Sequence, residues 1–448
     1  MNYENWETEK EYSKILTKIN ENTEINKSGI QMMYENKSIY IDDTDNQTLI
    51  IGDTGSGKTQ SIMLPLVRTA IKAGESLVIS DIKGEICKST AKEFEKKGYN
   101  VIILDIKNNE LGSRWNPFTL AYKLYKDGKK SESVKLIEEI GHYLMYSEAT
   151  LDSFWINSAT DYFVGLALYL FENAKEEEIN LNSIFSLSNT INEGNNLENF
   201  IKKIDKNSNI YYNLSGTLTS PKETKGGIIS TFIERIKRFI STEGISNLLS
   251  TSDFDLSKIT TEKTVVFIVS GINDISSQII PLFIKELIYS KDNYGTTERR
   301  LNIILDEFDD LDPILNFNKI LHYSRTLHTR FTIFIKSFKG IEKKYGKETS
   351  ETIKASFSNV IYLWSNDLDT LTEISKLCGN TTKKNKSVPL MPVEELKLLK
   401  QFEAIIFKQR MKPFKTKLLP DYKMNWIKEK EEYIISPIKK NDIKIYNL

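Results

Sequence analysis

The chain has 448 residues, and its 61 Lys+Arg balance 61 Asp+Glu to a formal net charge of +0. That length suits two domains or one large domain carrying an insertion. The charge balance excludes a polypeptide that coats nucleic acid through overall basicity, so any such surface must come from local patterning. Cys87 and Cys378 stand far apart with no C-x-x-C pair, which argues against a disulfide framework or a zinc site and suits a reducing compartment.

The amino terminus, "MNYENWETEKEY", has neither a basic start nor an apolar core, so no signal peptide is expected. Within residues 4–20, Trp6, Tyr12, Ile15, Leu16 and Ile19 recur at roughly helical spacing. This predicts a short amphipathic helix, inside an N-terminal segment 1–37, that packs on its own domain. Strands are predicted at 38–41 and 48–51, and a helix over 58–73 ended by Gly74. Between the second strand and that helix, Gly52, Gly57, Lys58 and Thr59 satisfy G-x-x-x-x-G-K-[ST]. Together with Asp53, Thr54, Gly55, Ser56 and the following Gln60, they predict a loop whose backbone N–H groups close around the phosphates of ATP. In that motif Lys58 reaches the β and γ phosphates and the Thr59 hydroxyl holds Mg²⁺.

Next, "SLVISDIKGE" puts Asp81 at the end of an apolar strand, and "YNVIILDI" supplies another strand after a charged helix. Such alternation indicates an α/β fold with a mainly parallel sheet. The pattern then changes. Over residues 115–224, "SVKLIEEIGHYLM", "FWINSATDYFVGLALYLF" and "LNSIFSLSNTI" repeat apolar residues at helical spacing without a buried strand, which predicts an all-helical insertion domain. Its most apolar run, 163–171, is about half the ~20 residues a membrane span requires and is flanked by Asp161 and Glu172. Strands return with "KTVVFIVSG", "RRLNIILDEFDD", "RFTIFIKSF" and "NVIYLWSND". The nucleotide-binding domain is therefore assigned to 38–114 and 225–425, and the Lys/Glu-rich end, 426–448, to a peripheral segment.

Asp306 and Glu307 follow the apolar strand 302–305. Their side chains are expected at the carboxyl edge of the sheet, where open α/β folds bind ligands. Asp306 would hold Mg²⁺ and Glu307 would act as general base toward the attacking water. Asp81 lacks an adjacent second carboxylate and leads into a turn; a direct contact with the nucleotide is a weaker expectation for it.

In chain order, "GDTGSGKTQSIMLPL", "SDIKGEICKSTAKEFEKKGYNVIILD", "SRWNPF", "FWINSATDYFVGLALYL", "TKGGIISTF", "IILDEFDDLDPI", "LWSNDLDTLTEISKLCG" and "VPLMPVEEL" resemble the conjugative coupling ATPases of type IV secretion systems, the TraG-like DNA-transfer proteins. The resemblance covers residues 45–425. It implies a RecA-like nucleotide-binding domain, a helical insertion where one is predicted, a homo-hexameric ring, and delivery of relaxase-bound single-stranded DNA to channel subunits. Family members usually begin with membrane-spanning helices, whereas this chain begins with a polar segment. The expectation is a cytoplasmic protein recruited to the inner face of the membrane by a separate anchor protein. The family's glutamine after the next strand falls on Lys336 in "FTIFIKSFKGI". A protonated lysine can donate to a phosphate but cannot accept from water, so hydrolysis is expected to be slow or dependent on DNA or partners. The family's arginine falls on Arg325 in "HYSRTLHTRFTIFIK", where it would reach a neighbouring subunit's γ-phosphate. Lys222, Lys225, Lys336, Lys339, Lys343 and Lys344 are candidates for contacts to DNA phosphates. Two other functions fit the same residues: a DNA-translocating or helicase-like motor outside secretion, and a nucleotide-binding adaptor with little turnover.

Overall fold

Runs 49–51, 77–79 and 303–305 are apolar without alternation, the pattern of strands covered on both faces, and each is fully buried. The computed structural model describes every residue except 1–5, 21, 147–152, 194–195, 272–274, 296–298, 427–431 and 440–441. Two compact units result: Met1–Ile102, Ser257–Val269 and Lys291–Ile434 form the first, and Ile103–Leu256, Ser270–Ser290 and Ile435–Leu448 the second.

In the first unit, β1 (Thr17–Ile19), β2 (Ile30–Glu35) and β3 (Ser38–Asp42) make a small antiparallel sheet in the order β1-β3-β2. The main sheet takes β4 (Thr48–Gly52), β5 (Ser76–Ser80), β6 (Asn100–Asp105), β7 (Thr264–Val269), β8 (Leu301–Leu305), β9 (Thr329–Ile335) and β10 (Asn359–Trp364). After a separate hairpin of β11 (Asn380–Lys383) and β12 (Lys386–Pro389), β13 (Glu403–Lys408) and β14 (Phe414–Lys417) complete it. Its order is β14-β13-β10-β4-β9-β8-β5-β7-β6. The strands from β10 to β7 in that order run parallel, and β13 and β14 add an antiparallel edge. The neighbours β4, β9, β8 and β5 therefore release their loops at one carboxyl edge.

The opposite edge holds a buried polar network. Arg330, at the start of β9, is 1% exposed. It donates through Nε and Nη2 to Asn302 Oδ1 at 3.0 and 2.6 Å, through Nη2 to Ser28 Oγ at 2.7 Å, and through Nη1 to the Thr44 carbonyl at 3.3 Å. Glu75 accepts from the Ser28 backbone N–H (2.9 Å) and from Asn302 Nδ2 (2.8 Å). Burial, and then the neighbouring Arg300, lower the Arg330 guanidinium to about 10. Beside this network Asp42 of β3 accepts from Asn359 Nδ2 of β10 at 2.7 Å and pairs with Lys408 of β13 at 2.5 Å, which ties the small sheet to the large one.

The N-terminal segment departs from the expected helix. The helix is confined to Glu9–Ser13, and Thr17–Ile19 pairs with 39–41 of β3 as a strand. The free edge of β3 offers a ladder that outweighs the helical spacing of Ile15, Leu16 and Ile19. Ile15 is exposed, whereas Tyr12 is buried and stacks on Phe414 with ring centroids 4.3 Å apart. Residues 4 and 5 lie outside the described residues.

The second unit contains the helices Phe118–Lys126, Lys130–Met145, Ser153–Asn173, Leu181–Asn192, Asn196–Lys203, Asn209–Leu218, Lys222–Ile240 and Glu243–Leu248. Its helical block thus extends past the expected end at 224. Gly226 and Gly227 weaken helix propensity there, but the helix continues through them. A Cβ on Gly227 would stand 2.5 Å from the Trp155 ring, so glycine is what the close packing requires. Part of the expected C-terminal segment joins this unit as well: Leu111 bridges Pro437, and Asn180 Nδ2 donates to the Lys444 carbonyl at 2.8 Å. Residues 427–431 and 440–441 of that segment lie outside the described residues. No helix among the described residues is long and apolar enough to cross a membrane.

Replacing Arg330 with Met leaves Asn302 Oδ1 and Ser28 Oγ without their cationic donor and leaves Arg300, at 3.7 Å, as the remaining cation beside Glu75. The expected loss is about 3–5 kcal/mol in urea unfolding; an unchanged unfolding midpoint contradicts the role given to this network.

Candidate nucleotide-binding site

The loop after β4 is shaped by steric demands on its glycines. A Cβ on Gly52 would lie 2.5 Å from Ser56 Oγ, and one on Gly57, at φ +94°, would lie 2.8 Å from the Phe402 ring. Gly55 adopts φ +82°, a conformation open to glycine at little cost. Asp53 fixes the turn: its backbone N–H donates to the Trp364 carbonyl of β10 at 2.9 Å, and its Oδ1 accepts from the Thr54 N–H at 2.7 Å. After Lys58 the chain makes one π-helical turn, Thr59–Met63, and continues as the α-helix Leu64–Ala73, capped by Gly74 at φ 70°. Lys58 Nζ folds back onto the Gly52 carbonyl at 2.7 Å. Ser56 Oγ and Gln60 Oε1 are buried without a hydrogen-bond partner among the described residues.

Asp53, Thr54, Gly55, Gly57, Lys58, Thr59, Gln60, Asp81, Asp306 and Glu307 line one cavity of about 280 Å³. Gly52 and Ser56 belong to the same loop without lining it. Asp306 directly follows β8, and burial raises its carboxyl, with Lys58 as the largest opposing influence. Glu307 is held at φ +47°, a left-handed conformation rare for a side chain of its size, and its N–H donates to Asp306 Oδ1 at 3.0 Å. Burial raises the Glu307 carboxyl as well, while Lys336 pulls it down. A hydroxyl and a carboxylate, Thr59 and Asp306, are the all-oxygen donor set that suits a hard cation such as Mg²⁺.

Asp81 has a structural occupation in addition to its place in the cavity wall. Its Oδ1 accepts from the Gly84 N–H at 3.0 Å and its Oδ2 from the Cys87 N–H at 2.8 Å, closing the start of the helix Glu85–Lys96. Burial pushes this carboxyl up to about 6 against the pull of those N–H groups.

Lys336, at the end of β9, does not line the cavity. Its Nζ pairs with Asp310 Oδ2 at 2.6 Å and with Glu307 Oε2 at 3.5 Å, and its backbone N–H donates to Asp309 Oδ2 at 3.0 Å. Burial works against the ammonium, but Asp310 and Glu307 together hold its pKa above the ordinary lysine value. Arg325 lies at the other end of β9, exposed, with Nη2 donating to Ser358 Oγ at 2.9 Å. The seven residues of β9 separate the two, about 20 Å at ~3.3 Å per residue, so Arg325 cannot reach the cavity of its own chain. Of the lysines expected to meet DNA, Lys336 is engaged by acids and Lys344 pairs with Asp312 at 3.6 Å with both side chains largely buried. Charge pairing inside the fold consumes both.

Three polar lining residues escape sequence reasoning, Lys83, Glu85 and Gln401, as do the apolar Met63, Ile82 and Ile86. Lys83 stands three residues past the end of β5 in "SDIKGE", and its place in the loop that follows a buried strand is the available signal. Its ammonium opposes the rise of the Asp306 carboxyl, and it forms no ion pair among the described residues. Gln401 comes from the loop before β13, and its Nε2 donates to the Gly55 carbonyl at 3.4 Å. No local pattern marks a residue so distant in sequence.

A family model described as "Type IV secretory system Conjugative DNA transfer" matches residues 5–390. No curated protein matches the sequence. Among solved structures, the plasmid coupling protein TrwB in complex with the ATP analogue ADPNP is similar at 17% identity and TM-score 0.65, over 83% of this chain and 84% of that one. TrwB in complex with ADP and Mg²⁺ is similar at 16% identity and TM-score 0.63, over 83% and 85%. VirB4 of Thermoanaerobacter pseudethanolicus is similar at 12% identity and TM-score 0.54, over 87% and 96%. The fold is the RecA-like P-loop α/β architecture with a mainly parallel sheet.

Asp81→Ala removes the acceptor for two N–H groups at a helix start and is expected to lower stability by about 1–2 kcal/mol. Urea unfolding measures this, and a loss below the error of the fit contradicts the capping role.

Proposed function

The chain belongs to the type IV secretory system conjugative DNA transfer family, and from that premise we propose that it is an ATP-binding and ATP-hydrolysing coupling protein that delivers relaxase-bound single-stranded DNA to a secretion channel. The observation that carries this reading is the convergence of Lys58, Thr59, Asp306 and Glu307, from two distant parts of the sequence, on one cavity. Lys58 exchanges the Gly52 carbonyl for phosphate oxygens, and the backbone N–H groups of the loop surround the phosphate chain. Thr59 and Asp306 would hold Mg²⁺, which would supply charge neutralisation at the phosphates. Glu307 accepts the proton of the attacking water. Lys83 adds a second ammonium at the cavity wall.

Two further features bear on turnover. Arg325 lies too far from its own cavity to act there, which supports its action on a neighbour's γ-phosphate within a homo-hexameric ring. Lys336 occupies the base through its ion pair with Glu307, so hydrolysis is slow at rest and rises when DNA or a channel subunit draws the lysine away. That ion pair also favours a second reading, a nucleotide-binding adaptor with little turnover. Family membership favours DNA transfer over a motor serving replication or segregation.

Nucleotide titration and turnover assays test these roles separately. Lys58→Ala is expected to weaken ATP binding by about 10–100-fold, the scale of one charge-assisted phosphate contact or two. Glu307→Gln keeps binding close to the parental value and lowers turnover by about 10²–10⁴-fold; hydrolysis at the parental rate contradicts the general-base assignment. Lys336→Gln, which releases Glu307, is expected to raise turnover in the absence of DNA several-fold, and a fall in that rate contradicts the restraint assigned to Lys336.

A further inference from the structure

The β11–β12 hairpin projects a charge pattern that the fold does not need. Its register places Thr382 opposite Ser387 and Lys383 directly opposite Lys386. The connecting Lys384 and Asn385 both take positive φ, 49° and 60°, the backbone of a tight two-residue hairpin turn. All of 382–387 is exposed, so the tip buries no apolar surface of its own. A two-stranded hairpin is marginal in water, and like charges directly opposite weaken it further. The surroundings do not compensate. From 377 to 393 the sequence has no Asp or Glu, and Lys383, Lys384 and Lys386 have no acidic partner among the described residues. In a chain of formal net charge +0, this is a local concentration of cations at an exposed turn.

We propose that this hairpin is a contact for the phosphate backbone of single-stranded DNA, made by Lys383, Lys384 and Lys386. The proposal rests on the DNA-transfer reading above and adds where the strand is touched. A polyanion relieves the Lys383–Lys386 repulsion, and the hydroxyl and amide groups of Thr382, Asn385 and Ser387 are the neutral donors that commonly accompany lysine at phosphates. The tip has no aromatic side chain on which a base could stack, so the contact is independent of sequence. It also has no apolar residue to enter a lipid interface, which favours nucleic acid over a membrane surface.

The test is the salt dependence of binding of a labelled oligothymidylate to the full-length protein, measured by fluorescence anisotropy. The combined variant Lys383→Gln, Lys384→Gln and Lys386→Gln is expected to bind more weakly and to lower the steepness of log K against log salt by about 2, at ~0.7 per phosphate neutralised on a single strand. The corresponding variant with Arg at all three positions keeps the parental slope. ATP affinity and melting temperature of the Gln variant stay at or above the parental values, because repulsion is removed from an exposed turn. If the parental protein binds DNA and the Gln variant has the same slope, the hairpin assignment is overturned while the DNA-transfer reading stands. If the parental protein binds no DNA, both fall. Loss of binding to phosphatidylserine vesicles with unchanged DNA binding overturns the proposal in favour of a membrane contact.

Discussion

The buried guanidinium of Arg330 is the constraint on which the site depends. An unpaired charge in that position would cost several kcal/mol, and it is tolerated because Asn302, Ser28 and the Thr44 carbonyl saturate its donors. In doing so it ties the starts of β8 and β9 to the chain entering β4. The register follows: Asn302 lies beside Arg330 and Thr48 beside Thr332. The same ladders bring Leu305 beside Ile333 and Ile51 beside Ile335 at the other edge. The phosphate loop, the Asp306–Glu307 pair and Lys336 thereby leave the sheet together, although up to 284 positions separate Gly52 from Lys336. A slip of one residue would turn the strand ends to opposite faces.

Electrostatics at that edge is arranged around three acids whose burial outweighs the cations and N–H groups near them. Asp81, Asp306 and Glu307 all have carboxyls raised by burial, so the cavity disfavours further uncompensated negative charge. Lys58 and Lys83 offset part of it, and a divalent cation bound by Thr59 and Asp306 would offset more. Lys336 instead serves Asp310, which it holds below the ordinary aspartate value although burial works the other way. The chain thus keeps one lysine for phosphate, leaves one exposed at the wall, and withholds a third.

The parts of this arrangement legible in the sequence are those set by local sterics or by burial on both faces. Gly52 and Gly57 are readable because no Cβ fits there, and Asp306 and Glu307 because a continuous apolar run announces a central parallel strand. Asp81 was legible as a strand-end acid, but its hydrogen bonds to Gly84 and Cys87 were not, since a cap and a ligand contact share one pattern. The N-terminal segment misleads for a different reason. Its apolar spacing fits a helix, yet the open edge of β3 and the ring of Phe414, some 400 residues away, decide its structure. Gly226 and Gly227 give the same lesson inside a helix: a breaker by propensity is a packing solution against Trp155. The β11–β12 hairpin is four residues a side with no apolar alternation, so only its turn geometry and ladder reveal it.

Steady-state ATP turnover of the full-length protein, with and without single-stranded DNA, shows whether this edge of the sheet is a restrained catalytic site. A restrained site gives a slow basal rate that rises several-fold when DNA is added. Turnover indistinguishable from background under both conditions, with ATP bound, would contradict it and leave a nucleotide-binding adaptor.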